Sequence, residues 1–110
     1  MRISACVAST GVEVVCCPNP SAEIKAGYTS DMLSDVIGHC PEDSVLITIQ
    51  NHKNTVAVCT LVGAVAILVA HNRDIPTDML ETATAKQIAL LRTPLDQYHA
   101  TCLIANALDS

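Results

Sequence analysis

Four polar residues, Gln50, Asn51, His52 and Lys53, interrupt the otherwise apolar segment LITIQNHKNTVAV at residues 46–58. A plain turn would use glycine or proline. Two amides, an imidazole and an amine offer donors, acceptors and positive charge instead. A similar group, His71-Asn72-Arg73-Asp74, follows the apolar run 64–70, and Arg92-Thr93 follows another at 88–91. Histidine, amide and cationic side chains gathered beside helix N-termini form a site for a small anion. Gln50, Asn51, His52, Lys53, His71, Asn72, Arg92 and Thr93 are therefore the candidate ligand-binding residues. Solvated loops of Asn and Asp, which are common caps and turn formers, are the competing reading.

Other chemistries find less support. His39, Cys40, His52 and His71 fit no Cys-x-x-Cys, His-x-x-x-His or His-Glu-x-x-His spacing, so no metal site is assigned. No Gly-x-Ser-x-Gly elbow, glycine-rich phosphate loop or P-loop occurs, and the chain has only four glycines. Asp31 and Asp35 stand at i, i+4, the spacing of a solvated helix face as much as of an acid–base pair. No nucleophile can be paired with a base. The expectation is a non-catalytic domain without a cofactor, with a histidine acid–base enzyme as the weakest alternative.

The elements that would position these residues follow from periodicity. Ile3, Cys6 and Val7 share one face of a short helix that Gly11 can end. Residues 12–17 read as a strand, Pro18-Asn19-Pro20 as a turn and 22–28 as a second short strand. Met32, Leu33, Val36, Ile37 and Cys40 recur at helical spacing after possible caps at 29–31. A strand at 45–49 leads to a helix from about Asn54 to Leu61, ended at Gly63. A strand at 64–70 leads to a helix opened by Pro76 and Thr77 and running to about Lys86. A last strand at 88–91 precedes Thr93-Pro94-Leu95-Asp96, which reads as a helix start with Thr93 as cap. Leu95, Tyr98, Cys102 and Ala105 would then line one face of that helix. This alternation predicts an α/β domain in three layers, a mostly parallel sheet flanked by helices, with a short N-terminal helix and strands. Parallel strands end on one side, where ligands bind. That geometry would bring the residues after the three strands to one rim.

Composition agrees. Residues 1–110 read as a single domain, half apolar, with no Phe or Trp and two Tyr. Its core must be built from Val, Ile, Leu, Ala, Met and Cys, a diet suited to strands covered on both faces. A net charge of −5 with six basic residues argues against nucleic acid. No apolar stretch is long enough to span a bilayer. Ile3-Ser4-Ala5-Cys6 is similar to a lipoprotein cleavage box, but only two residues precede it, so a cytoplasmic location is expected. The six cysteines, Cys6, Cys16, Cys17, Cys40, Cys59 and Cys102, then read as reduced, mostly buried thiols.

Three segments carry a family resemblance: Gly27-Tyr28-Thr29-Ser30-Asp31-Met32-Leu33-Ser34-Asp35-Val36, Leu46-Ile47-Thr48-Ile49-Gln50-Asn51-His52, and Leu90-Leu91-Arg92-Thr93-Pro94-Leu95. Together they resemble a DRTGG domain over about residues 2–108. These small α/β domains are similar to the N-terminal domain of HPr kinase/phosphorylase. They also occur beside CBS domains in regulatory pyrophosphatases and in some phosphotransacetylases. The stand-alone subgroup, associated with iron-only hydrogenase gene sets, is the nearer likeness. Where the naming motif has Asp-Arg, this chain has Asn51-His52; where it has Thr-Gly-Gly, the chain has Ala70-His71-Asn72. The resemblance implies a regulatory or oligomerising domain without HPr kinase activity. A homodimer is expected, with Tyr28, Ser30, Asp31, Ser34 and Asp35 as its candidate interface. The expected ligand is a small anion or nucleotide; the alternative role is assembly partner of a redox enzyme such as a hydrogenase.

Overall fold

A computed structural model describes residues 1–109 of the chain. The elements run α1 (Ile3–Thr10), β1 (Glu13–Cys16), β2 (Ala26–Thr29), α2 (Leu33–His39), β3 (Ser44–Thr48), α3 (Lys53–Val62), β4 (Ala66–Val69), α4 (Thr77–Ala85), β5 (Ala89–Arg92) and α5 (Gln97–Leu108). The five strands form one sheet in the order β1-β5-β4-β3-β2. Strands β2 to β5 are mutually parallel, and β1 pairs antiparallel with β5. The expected three-layer α/β architecture is therefore present, and the three long apolar strands lie side by side in one direction.

Each connection between neighbouring parallel strands carries one helix. Crossovers of constant hand that step the same way along a sheet land on the same face. Thus α2, α3 and α4 share one layer, packed over Leu46, Ile67, Val69 and Leu90. Helices α1 and α5 cover the other, over Val45, Ile47, Ala66, Leu68, Ala89 and Leu91. Both faces are dry, which is why β3 and β4 are buried at every position instead of alternating.

The two N-terminal strands occupy opposite edges of this sheet: β1 beyond β5, and β2 beyond β3. The segment expected as a strand at 22–28 pairs only from Ala26, with an isolated bridge between Arg2 and Glu23 before it. Cys16 packs into one layer and Cys17 into the other, as adjacent residues on a strand must. All six cysteines are free; Cys6 and Cys59 are buried, whereas Cys102 is exposed. Burial, followed by the nearby Cys40, pushes the Cys59 thiol up to about 12, so it stays protonated and inert.

Two helices depart from the sequence-based reading. In α2 only Val36 is buried, while Met32 and Ile37 are exposed, because one turn of a seven-residue helix reaches the sheet. Helix α5 starts later than Thr93-Pro94: its cap is Asp96, whose carboxylate accepts from the His99 backbone N–H at 2.8 Å. The face it buries carries Ala100, Ile104 and Ala107. Leu95, Tyr98, Cys102 and Ala105, expected to line one face of the helix, are exposed. On that side β2 presents Gly27, where a Cβ would make ordinary contact with Ile104 Cγ2 at 3.6 Å.

Helix α3 ends as expected at Gly63, which adopts φ 82° and donates to the Cys59 carbonyl. A Cβ at this position would be strained and would meet Glu42 Cγ at 3.2 Å. Gly63→Ala is expected to destabilise the fold by roughly 1–2 kcal/mol. Gly38, inside α2 with open space within 4 Å of where a Cβ would stand, gives the opposite sign. Gly38→Ala should add about 0.5–1 kcal/mol. Urea midpoints of the two variants check both.

Candidate functional site

The sheet's carboxyl rim gathers the loops after β2, β3, β4 and β5. Its anchor is Asp31, in the turn between β2 and α2. One carboxylate oxygen accepts from Thr48 Oγ1, the Ile49 backbone N–H and Gln97 Nε2, each at 2.9 Å. Gln50 closes the same knot by donating its side-chain amide to the Asp31 carbonyl at 2.7 Å. Three loops, remote in sequence, are thus held by one acidic residue. Asn51 extends the tie sideways, donating from Nδ2 to the Asp74 carbonyl at 2.7 Å and joining the β3–α3 loop to the β4–α4 loop. Gln50 and Asn51, read from the sequence as ligand groups, are bridges between loops.

His52 caps α3. Its Nδ1 accepts from the Asn54 backbone N–H at 3.1 Å, which places the ring proton on Nε2, away from the helix. Lys53 and Asn54 are exposed beside it, and the first turn of α3 carries no acidic residue. After β4, His71 and Asn72 adopt φ 59° and 52°, the left-handed region that favours glycine. Their backbone N–H groups donate to the Leu95 and Thr93 carbonyls at 2.9 and 2.8 Å. The loop is fixed by its main chain while both side chains, with Arg73, are exposed. These are the two places where the naming motif of the resembled family has glycine.

The remaining candidates are committed elsewhere. Arg92 turns to the β1 edge, where Nη2 lies 2.8 Å from Glu13 Oε2 in a forked pair. Thr93 is buried, and its Oγ1 accepts from the Leu95 backbone N–H. His52, Lys53, His71, Asn72 and Arg73 are left presenting free faces on one rim. Asp96 borders them; its backbone and side-chain bonds from His99, with His71 contributing charge, hold its carboxyl below the usual range. No group of three or more His, Cys, Asp or Glu among the described residues is arranged to hold a metal ion. Two hollows border α5, one of about 110 Å³ beside β2 and one of about 150 Å³ beside α1. Neither lies at the rim. Sequence reasoning missed Gln97 altogether and placed Asp31 in an interface; nothing in the spacing shows that 31, 48, 49 and 97 meet.

The Tyr28–Asp35 segment is knit internally. Tyr28 donates to Asp35 Oδ2 at 2.6 Å, and the other oxygen of Asp35 meets His39 Nδ1 at 3.1 Å. The Ser30 hydroxyl accepts from the Met32 backbone N–H, and Ser34 is exposed. The hydrogen bond to Asp35 pushes the Tyr28 phenol up to about 12, and the same bond holds the Asp35 carboxyl below its usual range.

No protein-family model matches the chain, and no curated protein matches it in sequence. The structure is similar to the crystal structure of the CBS and DRTGG domains of the regulatory region of a Clostridium perfringens pyrophosphatase, complexed with its activator diadenosine tetraphosphate. The TM-score is 0.75 at 15% identity, covering 97% of this chain and 47% of that one, so this chain spans about half its length. The likeness is one of fold, and the fold is DRTGG-like, as the sequence resemblance implied. No helix among the described residues is long and apolar enough to cross a membrane.

Removing the Asp31 carboxylate leaves the Ile49 N–H without its acceptor. Asp31→Ala is expected to destabilise by about 1–3 kcal/mol and to raise hydrogen exchange in the loops after β3 and β5 together. The Tyr28–Asp35 bond sets a pH window. Asp35 has a depressed folded pKa, so its contribution is present above its unfolded value of 3.8 and fades as pH falls through the folded one. Tyr28 is raised, so its contribution is complete below its unfolded value of 10 and fades as pH rises through about 12. Denaturant midpoints of Tyr28→Phe and the unmodified chain should therefore differ most between those limits and converge at both ends.

Proposed function

We propose that this chain is a non-catalytic regulatory domain that binds a small phosphate-bearing ligand, a nucleotide by class, at the carboxyl rim of its sheet. The observation that carries this reading is the Asn51–Asp74 tie, which sets the start of α3 beside the loop after β4. His52 Nε2 supplies a donor and Lys53 positive charge from one side. His71, Asn72 and Arg73 supply them from the other. Helix N-termini and cations in this arrangement receive phosphate oxygens. The pyrophosphatase region of like fold was crystallised with a nucleotide activator, which supports the same ligand class.

His71 bears most directly on this reading. His71 stands in left-handed backbone, a position that glycine would fill freely, and its side chain is exposed. His71→Gly is expected to leave stability unchanged or raise it by up to about 1 kcal/mol, and to weaken ligand binding at least tenfold. Calorimetric titration with diadenosine tetraphosphate, ATP and AMP provides the binding measurement. A ligand at about 100 times its Kd should stabilise the unmodified chain by about 2.7 kcal/mol. Absence of a thermal shift with every nucleotide, or binding that survives His71→Gly and Lys53→Ala unaltered, refutes the assignment.

A further inference from the structure

Two tyrosines are the only large aromatic residues in the chain. Tyr28 is committed to Asp35. Tyr98 is 72% exposed, in the first turn of α5. That turn belongs to the rim. The backbone N–H groups of His71 and Asn72 donate to the Leu95 and Thr93 carbonyls, which seams the loop after β4 to the loop leading into α5. Helical side chains lean toward the N-terminus of their helix, and this directs Tyr98 to the seam. Asp96, the cap between them, feels the charge of His71. Its carboxylate is already engaged: it accepts from the His99 backbone N–H, and its two oxygens lie 2.9 and 3.0 Å from His99 Nδ1. The His99 ring so held stands edge-to-face with Tyr98, centroids 5.1 Å apart and planes at 88°. The tyrosine is thereby braced while most of its surface stays open.

The rim is thus divided. Lys53, His71 and Arg73, with His52 Nε2, supply charge and donors on one side of the seam. Pro94, Leu95 and Tyr98 are exposed on the other. Such a surface matches a ligand with an anionic end and a flat apolar end. A nucleotide has both; inorganic and sugar phosphates lack the second. We infer that Tyr98 is the platform on which the nucleobase of the rim ligand stacks, its phosphates reaching back across the seam to His71 and Arg73. This rests on the nucleotide reading above and adds where the base is held. Every nucleobase has a π-face, so one ring selects a nucleotide over its bare phosphate chain and discriminates weakly among bases.

The test is calorimetric titration of the full chain with ATP and with inorganic triphosphate, circular dichroism confirming the fold of each variant. The unmodified chain should bind ATP more tightly than triphosphate. Tyr98→Ala should weaken ATP roughly five- to a hundredfold, the loss typical of a stacking ring, and leave triphosphate unaltered. Tyr98→Phe should keep the ATP affinity. The chain has no tryptophan, so Tyr98→Trp places a single reporter in the platform; ATP should quench its emission and triphosphate should not. Triphosphate that binds as tightly as ATP, or an ATP affinity indifferent to Tyr98→Ala, overturns the inference while the rim remains a phosphate site. Equal loss of both ligands in Tyr98→Ala also overturns it, since the ring would then shape the loop instead. Failure of the unmodified chain to bind either ligand removes the nucleotide reading itself, and this inference with it.

Discussion

A parallel ladder cannot leave one face to water, since each connection between its strands must cross the sheet and brings a helix with it. That constraint governs everything else in this chain. With α2, α3 and α4 on one side and α1 and α5 on the other, β3 and β4 become the centre of two apolar layers. No large aromatic is needed, because Val, Ile, Leu and Ala fill the gaps between closely spaced helices and strands. The same constraint sends every crossing chain out over one rim, where polar groups gather.

At that rim, polarity does two jobs. Asp31, Gln50, Asn51 and Gln97 satisfy one another and backbone groups, leaving the described residues with no orphaned buried side-chain polar atom. Such a knot rigidifies loops that would otherwise be the least ordered parts of the molecule. His52, Lys53, His71 and Arg73 contribute little to it and remain presented outward. The distinction between groups that hold loops together and groups that face solvent is made by hydrogen-bond partners, not by residue type. The four residues that break the run at 46–58 therefore divide: Gln50 and Asn51 brace, His52 caps, Lys53 projects.

Helix α5 shows how one sequence pattern can carry two faces. Ala100, Ile104 and Ala107 form one apolar stripe, and Tyr98, Cys102 and Ala105 form another nearly opposite. Hydrophobicity favours the second, whose side chains are larger. The first nevertheless faces the sheet, with Ala100 and Ile104 in one core layer with Ile47 and Leu91. The other stripe then becomes surface, with Tyr98 exposed.

Much of this protein follows from local order in the chain. The alternation of apolar runs with helical repeats, Gly63 in the left-handed region, and polar residues after each strand lead to a three-layer α/β fold with a loaded rim. These features depend on neighbours a few residues apart, which periodicity reads directly. Tertiary structure alone decided the rest. It put β1 and β2 at opposite edges, took Arg92 to Glu13, brought Gln97 to Asp31, and chose which stripe of α5 faces the sheet. Each of those outcomes turns on the fit between groups tens of residues apart, and spacing along a chain carries no record of which distant surfaces leave room for which side chains.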